Sequence, residues 1–153
     1  MNRHVKPGYW GDSVDYRDIL KKIEEIGPTL EANAPADEEA GELTKESFEA
    51  LKPLRFSHLM ATEELGGAQM RPTEVLQLIE AVTWWSGSAG WVSMVHCCIG
   101  AMSAAFLPDS AVERLFEPGS DNRFSGQGAP LGMLKKVDGG YTLTGKWSYG
   151  SGF

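Results

Sequence analysis

The sequence predicts an α+β chain, with a helical region first and the opening strands of a β-domain after it. Two observations carry this. From Tyr16 to Phe116 the apolar residues recur at helical spacing, interrupted by Pro, Gly and one short acidic stretch. After Asn122 the period becomes that of a strand. It is clearest where Tyr141, Leu143 and Gly145 alternate with Thr142, Thr144 and Lys146 behind the turn signal Gly139-Gly140. The implied divisions are a flexible arm over residues 1–12, a helical domain over 13–121 and an incomplete β-domain over 122–153. The final stretch, from Trp147 through Tyr149 and Ser151 to Gly152, mixes aromatic, hydroxyl and glycine residues. Such a strand end brings backbone and a small polar side chain against a flat ligand. No closing element follows it, so it reads as cut off with an unpaired edge.

Element by element, Ser13 or Asp15 caps a first helix carrying Tyr16, Ile19, Leu20, Ile23 and Ile26. Gly27-Pro28 breaks or kinks it, and residues 33–41 form a small, acidic, Pro-containing loop. Thr44 opens a short helix with Phe48 and Leu51, ended by Pro53. Gly66-Gly67 is a turn. Pro72 starts a helix with Val75, Leu78, Ile79 and Val82 on one face. Ser86-Gly87-Ser88 separates it from a buried helix over 89–106. Pro108-Asp109 caps a last short helix through Val112, Leu115 and Phe116, and Pro118-Gly119 is a turn. Residues 123–127, 133–137 and 141–149 read as strands.

Composition narrows the class. The chain has 153 residues, 42% hydrophobic and 23% charged, which is ordinary soluble globular usage. A net charge of -7 argues against a nucleic-acid or anionic-membrane surface. No basic start followed by an apolar run marks a secretory signal. The most apolar stretch, 91–107, is interrupted by Ser93, His96, Gly100 and Ser103, and reads as a bundle helix rather than a membrane span. Cys97 and Cys98 are helix neighbours that point apart, and are expected to be reduced packing residues in a cytoplasmic protein. Three scattered His and this Cys pair give no metal-ligand spacing.

Six motifs occur in a fixed order: Glu64-Leu65-Gly66-Gly67, Gly90-Trp91-Val92, Phe106-Leu107-Pro108, residues 124–130 from Phe124 to Pro130, residues 139–147 from Gly139 to Trp147, and Ser151-Gly152. As an ordered set from about Asp15 onward they resemble the acyl-CoA dehydrogenase superfamily of flavoproteins. That resemblance implies a helical N-terminal domain, a middle β-barrel domain of which only the first strands are present, and a C-terminal four-helix bundle beyond them. The dehydrogenases of the superfamily carry Thr-Glu-Pro and then Gly-Ser-Asp before the long strand. Here Gln127-Gly128-Ala129-Pro130 stands in that place with a short link to Gly139. The run Glu117-Pro118-Gly119-Ser120-Asp121 precedes the strand and reads as a chance turn. The short link and the ending 145–152 more closely resemble the flavin-dependent monooxygenase branch, the oxygenase components of two-component aromatic hydroxylases.

The resemblance implies a diffusible reduced flavin, FMN or FAD, received from a separate flavin reductase. It implies dioxygen held as a C4a-hydroperoxide, oxygen transfer to a small aromatic substrate, and a homotetramer at full length. It places the Ser151 hydroxyl at flavin N5, Tyr149 as an aromatic wall, and Ser125 and Gln127, with the backbone of Gly126 and Gly128, at the pyrimidine edge. It puts His96 beside a phenolic substrate, where it favours phenolate. His96 and Ser151 are thus the candidate catalytic residues. Two other readings remain open: an FAD-dependent acyl-CoA dehydrogenase acting on a CoA thioester, and a non-catalytic truncated fragment or helical interaction module. Each residue also has a plainer role. Ser151 reads equally as a loop serine, Ser125 and Gln127 as partners of strand backbone, and Tyr149 and Trp147 as barrel core. His96 reads as a satisfied core histidine, Trp84, Trp85 and Trp91 as helix packing, and Glu38, Glu39 and Glu42 as a solvated face.

Overall fold

A computed structural model describes residues 15–117, 120 and 122–152. The expected arm over 1–12, the Ser13 cap, the Pro118-Gly119 turn and Phe153 lie outside the described residues. The chain is mostly helical with one β-hairpin, as the α+β reading requires.

Helix α1 (Tyr16–Ala40) starts at Asp15, whose carboxylate accepts from Arg17 N at 2.9 Å. It corrects two expectations, because it runs unbroken through Gly27-Pro28 and Pro35, and residues 33–40 are helix rather than loop. Burial decides this. Ile19, Ile23, Gly27, Leu30 and Asp37 share one buried face, and each large apolar side chain there contributes about 1.5–3 kcal/mol. That sum outweighs the backbone hydrogen bonds lost at two prolines. A Cβ on Gly27 would stand 2.2 Å from the Trp85 ring, so the glycine is a helix-crossing point rather than a breaker.

Asp37 fixes the end of α1. It is 2% exposed. Its Oδ1 accepts from Thr44 N at 2.6 Å and its Oδ2 from Ser47 Oγ at 2.9 Å. Gly41, at φ +70, closes α1 by donating its N–H to the Asp37 and Glu38 carbonyls. Thr44 then caps α2 (Lys45–Leu51), accepting from Ser47 N. Glu38, Glu39 and Glu42 are exposed, as the solvated-face reading expects. One carboxylate of the acidic stretch is therefore buried as a bracket while its neighbours stay in water.

Helix α3 (Pro72–Trp85) buries Val75, Leu78 and Val82 against α1, matching the sequence reading. Ser86 ends α3 and caps α4 (Gly87–Phe106), its Oγ accepting from Ala89 N at 3.2 Å. Helix α4 is not buried throughout. Ala89, Gly90, Ser93, Val95, Cys97 and Gly100 are inside, whereas Trp91, Met102 and Phe106 are exposed. Cys98 is exposed too, correcting its reading as a packing residue. Val95 meets the terminal segment at Gly152 from another direction, while the other buried residues share one side of the helix. Cys97 lies on that side, and burial pushes its thiol up to about 12. The turn at 56–58 lies directly on α4, where a Cβ on Gly100 would come within 2.3 Å of the Ser57 carbonyl. Helix α5 (Asp109–Leu115) brings Val112 and the following Phe116 onto Ala61 and Phe124 in a second, smaller cluster.

Strands β1 (Gly132–Val137) and β2 (Gly140–Gly145) pair antiparallel, Leu134 opposite Leu143 and Gly132 opposite Gly145. Two strand expectations are corrected. Residues 123–127 form an irregular segment with no strand partner among the described residues, anchored by the buried Phe124. Strand β2 stops at Gly145 instead of reaching Tyr149. There the Trp147 ring folds back over Gly132 and Gly145, and Tyr149 takes φ +60, which ends any ladder. Both faces of the hairpin are exposed among the described residues.

Replacing Asp37 by Ala strands the Thr44 N–H and the Ser47 hydroxyl. Asp37→Ala should lower stability by about 2–3 kcal/mol in urea unfolding, with Asp37→Asn losing less.

Candidate functional site

The terminal segment meets α4 at His96. The imidazole Nε2 lies 3.0 Å from the Gly152 carbonyl oxygen. A carbonyl only accepts, so Nε2 donates and Nδ1 keeps the lone pair. Gly152 sits at φ +88, and a Cβ there would fall 2.9 Å from the Phe124 carbonyl and 3.0 Å from the His96 ring. Only glycine allows so close an approach. On the other side of Ser151, the Ser125 hydroxyl donates to the Gly150 carbonyl at 3.2 Å. Ser151 is thereby held from both flanks, by Ser125 through Gly150 and by His96 through Gly152.

Ser151 and His96 together line an open cleft of about 1110 Å³ between the end of α1, α2 and α4, with Trp91 and Arg123 on its walls. Burial lowers the His96 pKa, the Gly152 contact partly offsets this, and the Arg123 charge adds to the lowering. The ring is therefore neutral at pH 7 and presents a basic Nδ1.

The other candidates fall elsewhere. Ser125 acts through the Gly150 carbonyl and does not line the cleft. Gly126 packs on Ile99, whose side chain an added Cβ would meet at 2.5 Å. Gln127 also lies outside the cleft lining, and its Oε1 is buried with no hydrogen-bond partner among the described residues. Tyr149 is 88% exposed and makes no wall of the cleft.

An orphaned buried acceptor is costly unless a donor reaches it. The Gln127 acceptor lies outside the cleft, so the fit to a flavin ring rests on the cleft itself, whose volume, Ser151 on its wall and Trp91 suit a planar heterocycle.

A second histidine was missed. His58 is 3% exposed, and the Arg55 guanidinium donates to its Nε2. Its Nδ1–H must then donate to Ser57 Oγ, 2.9 Å away. Burial first, and the Arg55 charge second, lower its pKa to about 4. The Phe116 ring packs edge-on at 4.9 Å. His58 lines a second cavity, of about 440 Å³, which shares His96 with the cleft. Polar Arg55, Ser57 and His58 interleaved with apolar Leu54, Phe56 and Leu59 were the signal in the sequence.

No family model matches the chain. Over 135 residues it is 31% identical to the flavin-dependent monooxygenase, oxygenase subunit HsaA, of Rhodococcus jostii (strain RHA1), an alignment covering 87% of this chain and 35% of that protein. Over 139 residues it is 24% identical to the oxygenase component of the FADH2-dependent resorcinol hydroxylase of Rhizobium sp. (strain MTP-10005), covering 88% and 32%. The solved 3-HSA hydroxylase from Rhodococcus sp. RHA1 superposes with a TM-score of 0.77 at 31% identity, covering 88% of this chain and 35% of that one. The chain spans about a third of the length of these curated relatives.

His58 also sets a pH dependence. Its folded pKa, about 4, lies below the ordinary 6.5, so between these values the unfolded chain takes up a proton that the folded chain refuses. Its contribution is complete above pH 6.5 and is lost as pH falls towards 4, by on the order of 3 kcal/mol. His58→Gln should flatten that part of the wild-type stability profile, measured by urea unfolding at each pH.

Proposed function

We propose that this chain, homologous to the N-terminal part of flavin-dependent monooxygenase oxygenase subunits, forms one wall of the oxygenase site in such an enzyme. The observation that carries the reading is the two-sided clamp on Ser151 beside His96 and an open cleft. In the overall reaction one oxygen atom of dioxygen enters the substrate and the other leaves as water, while reduced flavin is oxidised. When bound, the flavin supplies the two electrons and the activation of dioxygen.

The chain's own residues position and protonate. Ser151 offers its hydroxyl to flavin N5. Ser125 keeps the Ser151 backbone in place through Gly150. His96 uses Nδ1 to accept the proton of a phenolic substrate, leaving negative charge on the ring and making its carbon more nucleophilic. The flavin is FMN or FAD, brought reduced by a separate reductase. The dependence in the Rhizobium relative's name supports FADH2, and that name and the two-component pattern support a small aromatic substrate. The full-length protein is a cytoplasmic homotetramer. The exposed Trp84, Trp91, Met102 and Phe106 favour further burial in such an assembly.

The full-length protein is to be titrated anaerobically with reduced FMN and FAD, then mixed with air and a phenol. Reduced flavin should bind and be consumed with substrate-dependent hydroxylated product. Oxidation of a CoA thioester in its place would assign the chain to the dehydrogenases. Ser151→Ala should lower product per reduced flavin by about 10-fold, the worth of one hydrogen bond to a charged or polarised group. Because the His96 pKa is lowered and the neutral form is the base, product formation should hold from pH 8 to 6.5. It should fall only on an acid limb below 6.5.

A further inference from the structure

The large cleft and the 440 Å³ cavity share a wall. Phe48, Glu49, Val92, His96 and Arg123 line both spaces, and so ring the junction between them. Phe48 belongs to α2, Val92 and His96 to α4, and Arg123 to the irregular segment after α5. The Arg123 guanidinium carbon lies 4.2 Å from the centre of the Phe48 ring and braces it by a cation–π contact. His96 stands at this junction with its two nitrogens at different edges of the ring. Nε2 is spent on the Gly152 carbonyl, and Gly152 lines the cleft but not the smaller cavity. The free Nδ1 is therefore turned away from the terminal segment that carries Ser151.

We propose that Phe48, braced by Arg123, is the specificity-determining residue of the oxygenase site: it narrows the junction at His96 so that a single aromatic ring, not a fused pair, brings its hydroxyl to Nδ1. The inference rests on the oxygenase reading of the cleft, and adds to it what limits the ring to be oxidised. The cleft itself, at about 1110 Å³, is too wide to select between one ring and two. The junction selects because its walls are held. The bond from Ser47 to Asp37 fixes α2 one residue before Phe48, and packing on α3 fixes α4. Val92 is β-branched and stiff on its helix. Phe48 is the wall whose removal opens most room, because the smaller cavity lies behind it with Leu51, Pro53 and Phe56 in its lining to receive a second ring.

The test uses calorimetric binding of phenol and 2-naphthol to the full-length protein, with reduced-flavin binding measured on the same samples. Wild type should bind phenol at least as tightly as 2-naphthol, against the larger apolar area of the naphthol. Phe48→Ala should raise the naphthol-to-phenol affinity ratio by about 10-fold, the effect of a steric change in an apolar pocket. Arg123→Gln removes the cation from the ring at an exposed position and should raise the ratio several-fold, whereas Arg123→Lys, which keeps a cation, should raise it less. A merely structural Phe48 would lower the melting temperature and leave the ratio unchanged. If Phe48→Ala fails to fold, the two Arg123 variants decide. An unchanged ratio in the folded variants, tighter naphthol binding by wild type, or no binding of either phenol overturns the proposal even where reduced flavin binds normally. A ratio that shifts as expected in a protein that binds no reduced flavin would overturn the oxygenase reading and leave the role of Phe48 standing.

Discussion

The contact between the His96 imidazole and the Gly152 carbonyl is what the rest of the candidate site depends on. It joins residues 56 apart in sequence and is the point where the terminal segment lands on the helical layer. The approach is so close that Gly152 has room for no side chain. This single contact sets two things at once. It fixes which imidazole nitrogen carries the proton and where Ser151 stands. Chain entropy opposes closing so long a loop, and the Ser125–Gly150 bond shares that cost.

A contact of this precision needs a rigid platform, and the helical layer supplies one by burial. Helix α4 is held by α3 and by the 56–58 turn, where glycine at position 100 lets the Ser57 backbone lie on the helix. Helix α2, which closes the far side of the cleft, is placed by the Asp37 bracket at the end of α1. The acidic stretch that looks like a loop in sequence is therefore what positions one wall of the site. By length and composition α4 is able to cross a bilayer, yet Ser93, Cys97 and Gly100 on one face are spent on protein packing.

The two histidines of the layer show how environment divides one residue type into two roles. His58 is sealed, has both nitrogens occupied and lies beside a guanidinium, so it resists protonation and serves as a structural bridge. His96 is half-buried between two cavities and spends only one nitrogen on the backbone, which leaves the other for chemistry. Ser57 and Ser93 divide in the same way. One hydroxyl is committed to His58, and the other has no partner among the described residues.

The sequence by itself determined the elements whose signals are local. Thr44 capping α2, Pro72 opening α3, Ser86 between α3 and α4, and Gly139-Gly140 turning the hairpin are each written within a few residues of where they act. The ordered motifs likewise pointed to the flavoprotein relatives, and to His96 and Ser151 as the pair to inspect. What only the tertiary structure decided depends on partners far along the chain. Helix α1 survives two prolines because its buried face has α3 to pack on, and residues 123–127 form no strand because none of the described residues pairs with them. Cys97 and Cys98 part company because only Cys97 falls on the side of α4 that joins the main core. The cavity at Ser93 was invisible in sequence for the same reason. It is bounded by α2, the 52–58 turn, α4 and Ser120, Asn122 and Arg123, and long-range packing, which no local pattern encodes, brings these together.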